Sequence, residues 1–169
     1  MPASRNDIYK MVRLAKRTFL SSDRPEREKC KLREMRPIII FNRLLKKSWG
    51  QAMLVHQYDS QKAFYGLSKD MPIIKAEGRS CWAVLDINPL IIFETRKDVY
   101  DTVAHELAHL LDFLVGGKYY IRYERFHSDR WREIHMAMGG NGETGGPKIH
   151  AYKSKKETYV ERKINELFK

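Results

Sequence analysis

Hydrophobic residues recur every three or four positions along the first twenty residues of the chain. The apolar positions fall on one side of a helical projection: Ile8, Met11, Val12, Ala15 and Phe19. Basic positions occupy the other side: Lys10, Arg13, Lys16 and Arg17. Ser4 stands where an N-cap belongs, and Asp7 places a carboxylate in the first turn. The pattern predicts an amphipathic, basic helix over residues 5–20.

The next segment also has helical spacing. A break at residues 21–25 ends the first helix, and Pro25 suits the first position of a second one. Pro37 is expected to kink or split this second helix, because proline cannot continue the hydrogen-bonding pattern. The apolar residues that follow are spaced for a further helical face that ends near Gly50: Ile38, Phe41, Leu44 and Leu45.

Between residues 52 and 86 the apolar runs become short, with Gly, Asp, Ser and Pro between them. The runs cover residues 53–55, 63–65, 73–74 and 81–85. They predict three or four strands of a small antiparallel sheet. Asn88 and Pro89 mark the turn that leaves the last strand, and a brief linking turn follows.

The second half of the chain returns to a helical period. A helix is predicted from about residue 98 to residue 115, ended by two glycines. It is apolar nearly all round, so we expect it to be buried. A further helix is predicted over residues 127–138, then a glycine-rich stretch, then a closing helix over residues 154–168. Ser154 and Glu157 form the capping-box pair of that closing helix.

The buried helix carries the motif HExxH at residues 105–109. Residues four apart lie one turn apart on the same helix face, so His105 and His109 can both reach one Zn²⁺ at about 2.0–2.1 Å. Glu106 projects beside them as a candidate general base for water. The alternative is a pair of surface histidines on a solvated turn. Because unpaired buried histidines are costly and metal-bound ones are satisfied, the pattern favours a zinc site suited to amide hydrolysis.

A third ligand has to come from elsewhere, since catalytic zinc usually has three protein ligands and one open position. The residue six positions after His109 is Val115, which excludes the metzincin pattern. The strongest candidate is His127, which opens the next predicted helix four residues before Trp131. Acidic alternatives remain open: Glu124, Asp129 and Glu133.

Three further polar or thiol positions carry weaker expectations. Asp112 lies seven residues after His105, where it could orient a ligand histidine or simply lie on the helix surface. His135 is expected to pack against the core. Cys30 and Cys81 form no C-x-x-C pair, so we expect two buried, reduced thiols and no cysteine zinc ribbon.

Length and composition predict one globular domain spanning residues 1–169. The chain has 43% hydrophobic and 11% aromatic residues, which suits a packed core and argues against disorder. No apolar run is long enough to span a membrane, and residues 1–30 show no signal-peptide core. These observations predict an intracellular, cytoplasmic protein, or one in the nucleoid or nucleus if it associates with DNA.

The net charge of +11 is unevenly distributed. Residues 1–49 contain fourteen Lys and Arg against five Asp and Glu, whereas residues 50–147 contain eleven against thirteen. Residues 148–169 contain seven against three. The chain therefore divides into a basic helical part (1–50), a slightly acidic core with the motif (51–147) and a basic C-terminal helix (148–169). Basic ends attract polyanions and predict DNA contacts, with a merely solubilising surface as the alternative.

Several elements between residues 80 and 140 occur in a distinctive order. A predicted strand ends at Asn88-Pro89, the helix with HExxH follows, and after a loop HSDRW (residues 127–131) opens the next helix, with Gly139-Gly140 beyond it. This order resembles the SprT-like, or Spartan-type, metalloproteases, which carry His-Gly-x-x-Trp/Phe at the last of these positions. Ser128 stands where that family usually has glycine, and the cysteine ribbon of some bacterial members is missing.

The resemblance implies a zincin-like α+β core, in which a small antiparallel sheet packs against the HExxH helix and helices flank both ends. It implies that His105, His109 and His127 bind zinc and that Glu106 is the catalytic base. It also implies proteolysis of proteins crosslinked or bound to DNA, with the basic N- and C-terminal regions contacting the DNA. Two alternatives remain: a zinc peptidase without a nucleic-acid role, and a non-enzymic basic DNA-binding module whose metal only stabilises the fold.

Overall fold

The fold is α+β, as predicted. A computed structural model describes residues 3–42, 45, 48–116, 127–144, 163, 166 and 167. Up to residue 144 the helices are α1 (Arg5–Leu20), α2 (Glu26–Glu34), α3 (Gln61–Phe64), α4 (Arg96–Gly116) and α5 (Asp129–Ala137), with a 3₁₀ helix at Pro89–Phe93. The strands are β1 (Ile38–Phe41), β2 (Gly50–His56), β3 (Ile74–Ala76) and β4 (Arg79–Ile87).

Helix α1 follows the predicted bounds. Ser4 Oγ accepts a hydrogen bond from the Asp7 N–H at 3.2 Å, and Asp7 Oδ2 accepts one from the Ser4 N–H at 2.9 Å. This reciprocal pair is a capping box, which satisfies two backbone donors that a helix start leaves free. The apolar stripe of α1 is buried and packs against α4. On its basic side Lys10, Arg13 and Arg17 are exposed, whereas Lys16 is half-buried and donates to the Met35 carbonyl at 2.6 Å.

The segment around Pro37 differs from the prediction. Pro25 is the N-cap of α2, one position before the helix, and α2 ends at Glu34 without reaching Pro37. Residues 38–41 form strand β1, so the predicted helical face at these residues is wrong. The three consecutive isoleucines explain the difference, because β-branched side chains favour extended backbone and pack well on a sheet.

Strand β4 is the centre of the sheet. It pairs in parallel with β1 and antiparallel with β2 and β3, so the sheet is mixed and the antiparallel prediction is wrong in this respect. Cys81 is paired on both sides, with His56 of β2 and Ile74 of β3. The predicted strand at residues 63–65 is also wrong, since helix α3 covers most of it. A run of three apolar residues is too short for its period to separate strand from helix.

Side-chain alternation along β4 divides the core into two layers. Ala83, Leu85 and Ile87 belong to the large cluster formed with α1 and α4, whereas Trp82 and Val84 belong to a smaller cluster on the other face. Helix α4 therefore lies across one face of the sheet. The predicted burial of α4 is confirmed, because nearly every residue from position 102 to position 115 is buried. No helix of the described ranges is long and apolar enough to cross a membrane.

Helix α5 begins slightly later than predicted. Ser128 is its N-cap and accepts a hydrogen bond from the Trp131 N–H at 3.0 Å, so His127 lies just before the helix. The predicted loop after α4 lies outside the described residues. The same holds for the C-terminal helix, apart from residues 163, 166 and 167, which are helical.

The two cysteines have different environments. Cys81 is fully buried in the sheet, and burial raises the pKa of its thiol to about 11. Cys30 lies exposed on α2, so the expectation that both thiols are buried is wrong for this residue. Both are free thiols. Cys30 falls on the outer side of α2 because Leu32 occupies the side that packs into the core.

Candidate metal centre

Three histidine side chains converge at the end of α5 that faces α4. His105 and His109 lie one turn apart on α4, and His127 reaches them from the residue before the N-cap of α5. The Nε2 atom of His105 lies 3.2 Å from that of His109 and 3.1 Å from that of His127. All three can present a ring nitrogen within 4.8 Å of the other two. The structure thus brings together the three residues predicted as ligands.

The spacing of these nitrogens fits a metal ion. Two nitrogens bound to one tetrahedral zinc at about 2.0–2.1 Å are separated by roughly 3.3 Å. The histidines also have a suitable protonation state, because burial and the neighbouring histidines lower the pKa of His105 to about 3 and of His109 to about 2. Burial likewise lowers the pKa of His127. Neutral imidazoles present free lone pairs, so the donor set fits Zn²⁺.

Trp131 forms the floor beneath the histidines. Its side chain is fully buried, its ring stacks on His109 at a centroid distance of 5.1 Å, and its Nε1–H donates to the His105 carbonyl at 3.4 Å. Its ring is also in a T-shaped arrangement with that of His127, with the centroids 4.3 Å apart. The four-residue spacing between His127 and Trp131 therefore places a candidate ligand and the ring that packs against it at the start of α5.

Asp112 of α4 contacts the start of α5, next to His127. Asp112 Oδ1 accepts a hydrogen bond from Arg130 Nε at 2.5 Å, and its Oδ2 lies 3.4 Å from Ser128 Oγ. The side chain is buried, so the surface alternative is wrong. Its partners in the described residues are Arg130 and Ser128, on either side of the helix start, rather than a ring nitrogen. It therefore positions His127 through the backbone.

Glu106 lies against strand β2. A Cβ atom placed on Gly50 would fall 2.7 Å from Glu106 Cγ, so glycine is required there to admit the side chain. Burial raises the pKa of Glu106 to about 8, a backbone hydrogen bond from Ala52 opposes that shift, and the nearby Asp86 adds to it. A cation beside Glu106 would favour its charged form. The sequence does not predict this contact with β2, because no pattern near Gly50 indicates that it packs against residue 106.

His135 is a second residue beside the histidine cluster that the sequence analysis did not assign to it. It is fully buried, which confirms the expectation that it packs in the core. Its ring lies 5.4 Å from that of His105 and 5.0 Å from that of Trp131, measured between centroids. Its Nε2 lies 3.4 Å from Asp101 Oδ1. The four-residue step from Trp131 to His135 was the available signal.

Two of the three acidic alternatives for the third ligand lie within the described residues, and neither joins the three histidines. Glu133 is exposed and pairs with Arg24. Asp129 is exposed at the start of α5 and belongs to no metal-binding group within the described ranges. Glu124 lies outside the described residues.

Comparison with known protein families, curated proteins and solved structures finds no match to this chain. The functional argument therefore depends on the residues of the candidate centre and on their geometry.

Proposed function

We propose that this chain is a zinc-dependent endopeptidase that acts on DNA-associated proteins. The observation that carries the proposal is the convergence of three ring nitrogens, from His105, His109 and His127, with the buried carboxyl group of Glu106 following His105 on the same helix. Three neutral imidazoles leave one tetrahedral position free, which is the ligand count of catalytic rather than structural zinc.

Each residue of the centre has a defined part in the proposed reaction. The three histidines would hold Zn²⁺, which supplies Lewis acidity toward the scissile carbonyl and toward water when it is bound. Glu106 takes a proton from the attacking water on its carboxylate and delivers it to the nitrogen of the leaving amine. Gly50 and the Ala52 backbone keep that carboxyl group in one place, which lowers the cost of orienting the base.

We also propose that the chain has a zincin-like core of the SprT-like kind. The order of elements supports this proposal: β4 ends at Ile87, Asn88 caps the 3₁₀ helix, and α4 and α5 follow. Asn88 Oδ1 accepts from the Leu90 N–H at 3.0 Å, and its Nδ2 donates to the Leu45 carbonyl at 2.7 Å. This asparagine links the end of the central strand to the chain entering the motif helix.

The exposed side of α1 supports the association with DNA. Lys10, Arg13 and Arg17 lie at i, i+3 and i+7, so they form one stripe about 10 Å long. All three are exposed, and none forms an ion pair with another described residue. Such a row of exposed cations attracts a phosphate backbone.

The DNA contact has a direct electrostatic test. We expect binding to a labelled DNA 20-mer, followed by fluorescence anisotropy, to weaken as NaCl rises. Replacing Lys10, Arg13 and Arg17 by Gln removes up to three phosphate contacts. The slope of log K against log[NaCl] should then become shallower by about 2–3.

The matched control replaces three exposed lysines on other elements by Gln: Lys62, Lys69 and Lys97. It removes the same total charge, so a difference between the two triple variants reflects the position of the charges on α1 and not the net charge of the protein. Equal slopes for the two triple variants would contradict a specific role of α1.

The proposed activity is tested by metal analysis of the purified chain, followed by cleavage of casein or histone with and without single-stranded DNA. We expect close to one zinc per chain, cleavage that a chelator stops and added zinc restores, and faster cleavage with DNA. Cleavage unaffected by DNA would favour a zinc peptidase without a nucleic-acid role. Zinc without any cleavage, together with unfolding on chelation, would favour a DNA-binding module with a structural metal.

A further inference from the structure

The segment that follows α5 folds back onto α4 beside the histidine cluster. We call residues 139–143 the strap. At its start, the N–H groups of Gly139 and Gly140 donate to the carbonyls of Met136 and His135, which reverses the chain direction at the end of α5. Immediately before the strap, the Tyr100 hydroxyl of α4 donates to the Met138 carbonyl at 2.6 Å.

Asp101 of α4 holds the middle of the strap. Its Oδ1 accepts a hydrogen bond from the Asn141 N–H at 2.8 Å. The Asn141 side chain in turn accepts one from the Glu143 N–H at 2.8 Å. The strap therefore has a fixed path from Asp101 to Glu143, and Asp101 lies one helical turn before His105.

The strap ends beside His105, the first of the three candidate metal ligands along the chain. Burial lowers the pKa of His105, and the neighbouring backbone of Glu143 opposes that shift. The Nε2 atom of His105 faces His109 and His127, so Nδ1 is the nitrogen left for the Glu143 carbonyl. A proton held on Nδ1 leaves the Nε2 lone pair free toward the cluster.

His135 fills the space between the strap and the cluster. Its ring packs on those of His105 and Trp131, and its Nε2 lies 3.4 Å from the same Asp101 oxygen that holds Asn141. A side chain at Gly140 would overlap the His135 ring, so the strap passes directly over it. The strap, His135 and Asp101 thus fit together as one unit against α4.

We propose that Asp101 and His135 are positioning residues, which hold the strap on α4 so that the Glu143 carbonyl fixes the tautomer and orientation of His105. This inference rests on the proposed function only through the zinc site. It requires neither peptidase activity nor DNA binding. It assigns a role to a buried histidine and a half-buried aspartate that the proposed reaction does not use.

The test compares zinc affinity among variants by competition with a chromophoric chelator. Asp101→Ala frees the strap, and Gly140→Ala displaces it from the His135 ring. We expect both to weaken zinc binding by about 10- to 100-fold, the usual effect of removing a partner of a ligand histidine. The matched control, Asp70→Ala, removes the same charge from an exposed turn and should bind zinc as the wild type does. Affinities within twofold of wild type for both strap variants would overturn the inference.

A second measurement applies to the metal-free chain and does not depend on zinc binding. Two-bond ¹H–¹⁵N correlation spectra identify the protonated ring nitrogen of each neutral histidine. We expect His105 to be protonated on Nδ1 in the wild type and to become a mixture of tautomers in folded Asp101→Ala. Protonation on Nε2 in the wild type would overturn the inference even if the variants bind zinc weakly. Wild-type protein that fails to bind zinc would instead contradict the proposed function, and the tautomer would still decide the role of the strap.

Discussion

We expect Glu106→Gln to reduce cleavage of casein by about 10²- to 10⁴-fold while zinc content stays near one per chain. The range is the usual contribution of a positioned general base. Glutamine has the shape of glutamate, so it fits the space beside Gly50 and its oxygen still accepts the Ala52 hydrogen bond. It cannot take a proton from water. The variant therefore separates proton transfer from metal binding and from packing.

Stability provides the internal check on this variant. Burial raises the pKa of Glu106 to about 8, above its ordinary value of 4.5, so ionising it is unfavourable in the metal-free fold. A neutral isostere avoids that cost, and the metal-free variant should melt at the same temperature as the wild type or higher at pH 7.5. Glu34→Gln on α2 is the matched control, because its exposed carboxylate lies in a surface pair with Lys31. A Glu106→Gln protein that cleaves as fast as the wild type would exclude Glu106 as the base.

The sequence predicts those parts of the candidate centre whose residues lie within one helical turn of each other along the chain. His105 and His109 are one turn apart on any helix, and His127 and Trp131 share the start of the next one. These spacings were enough to select the three side chains that the structure brings together. That they bind zinc stays a prediction.

The supports of the centre could not be predicted, because they join distant parts of the chain. Gly50 and Glu106 meet only because β2 packs against α4, and the Asp112 carboxylate accepts a hydrogen bond from Arg130, which is eighteen residues further along the chain. Strand β1 was missed for a related reason. The isoleucines at residues 38–40 fit a helical stripe or a strand, and parallel pairing with β4 decides between them.

His127→Ala tests the ligand set itself, and we expect it to lose both zinc and cleavage. Zinc held by four ligands in small domains is worth about 10–16 kcal/mol, so one ligand contributes roughly a quarter of that, or about 10²–10³ in affinity. His127 precedes α5 and is only partly buried, so its removal should disturb the core less than removal of His109. Zinc content after dialysis and the affinity from chelator competition are the measurements.

The control for His127→Ala has to remove an imidazole elsewhere on the same protein. His56 is suitable because it lies at the opposite end of β2 from Gly50, the residue that packs against Glu106. His56→Ala should keep both zinc and activity. If His127→Ala retained one zinc per chain at wild-type affinity, the third ligand would have to come from another residue. If it retained cleavage as well, His127 would have no part in the centre, and the close approach of its ring to His105 would only reflect packing on Trp131.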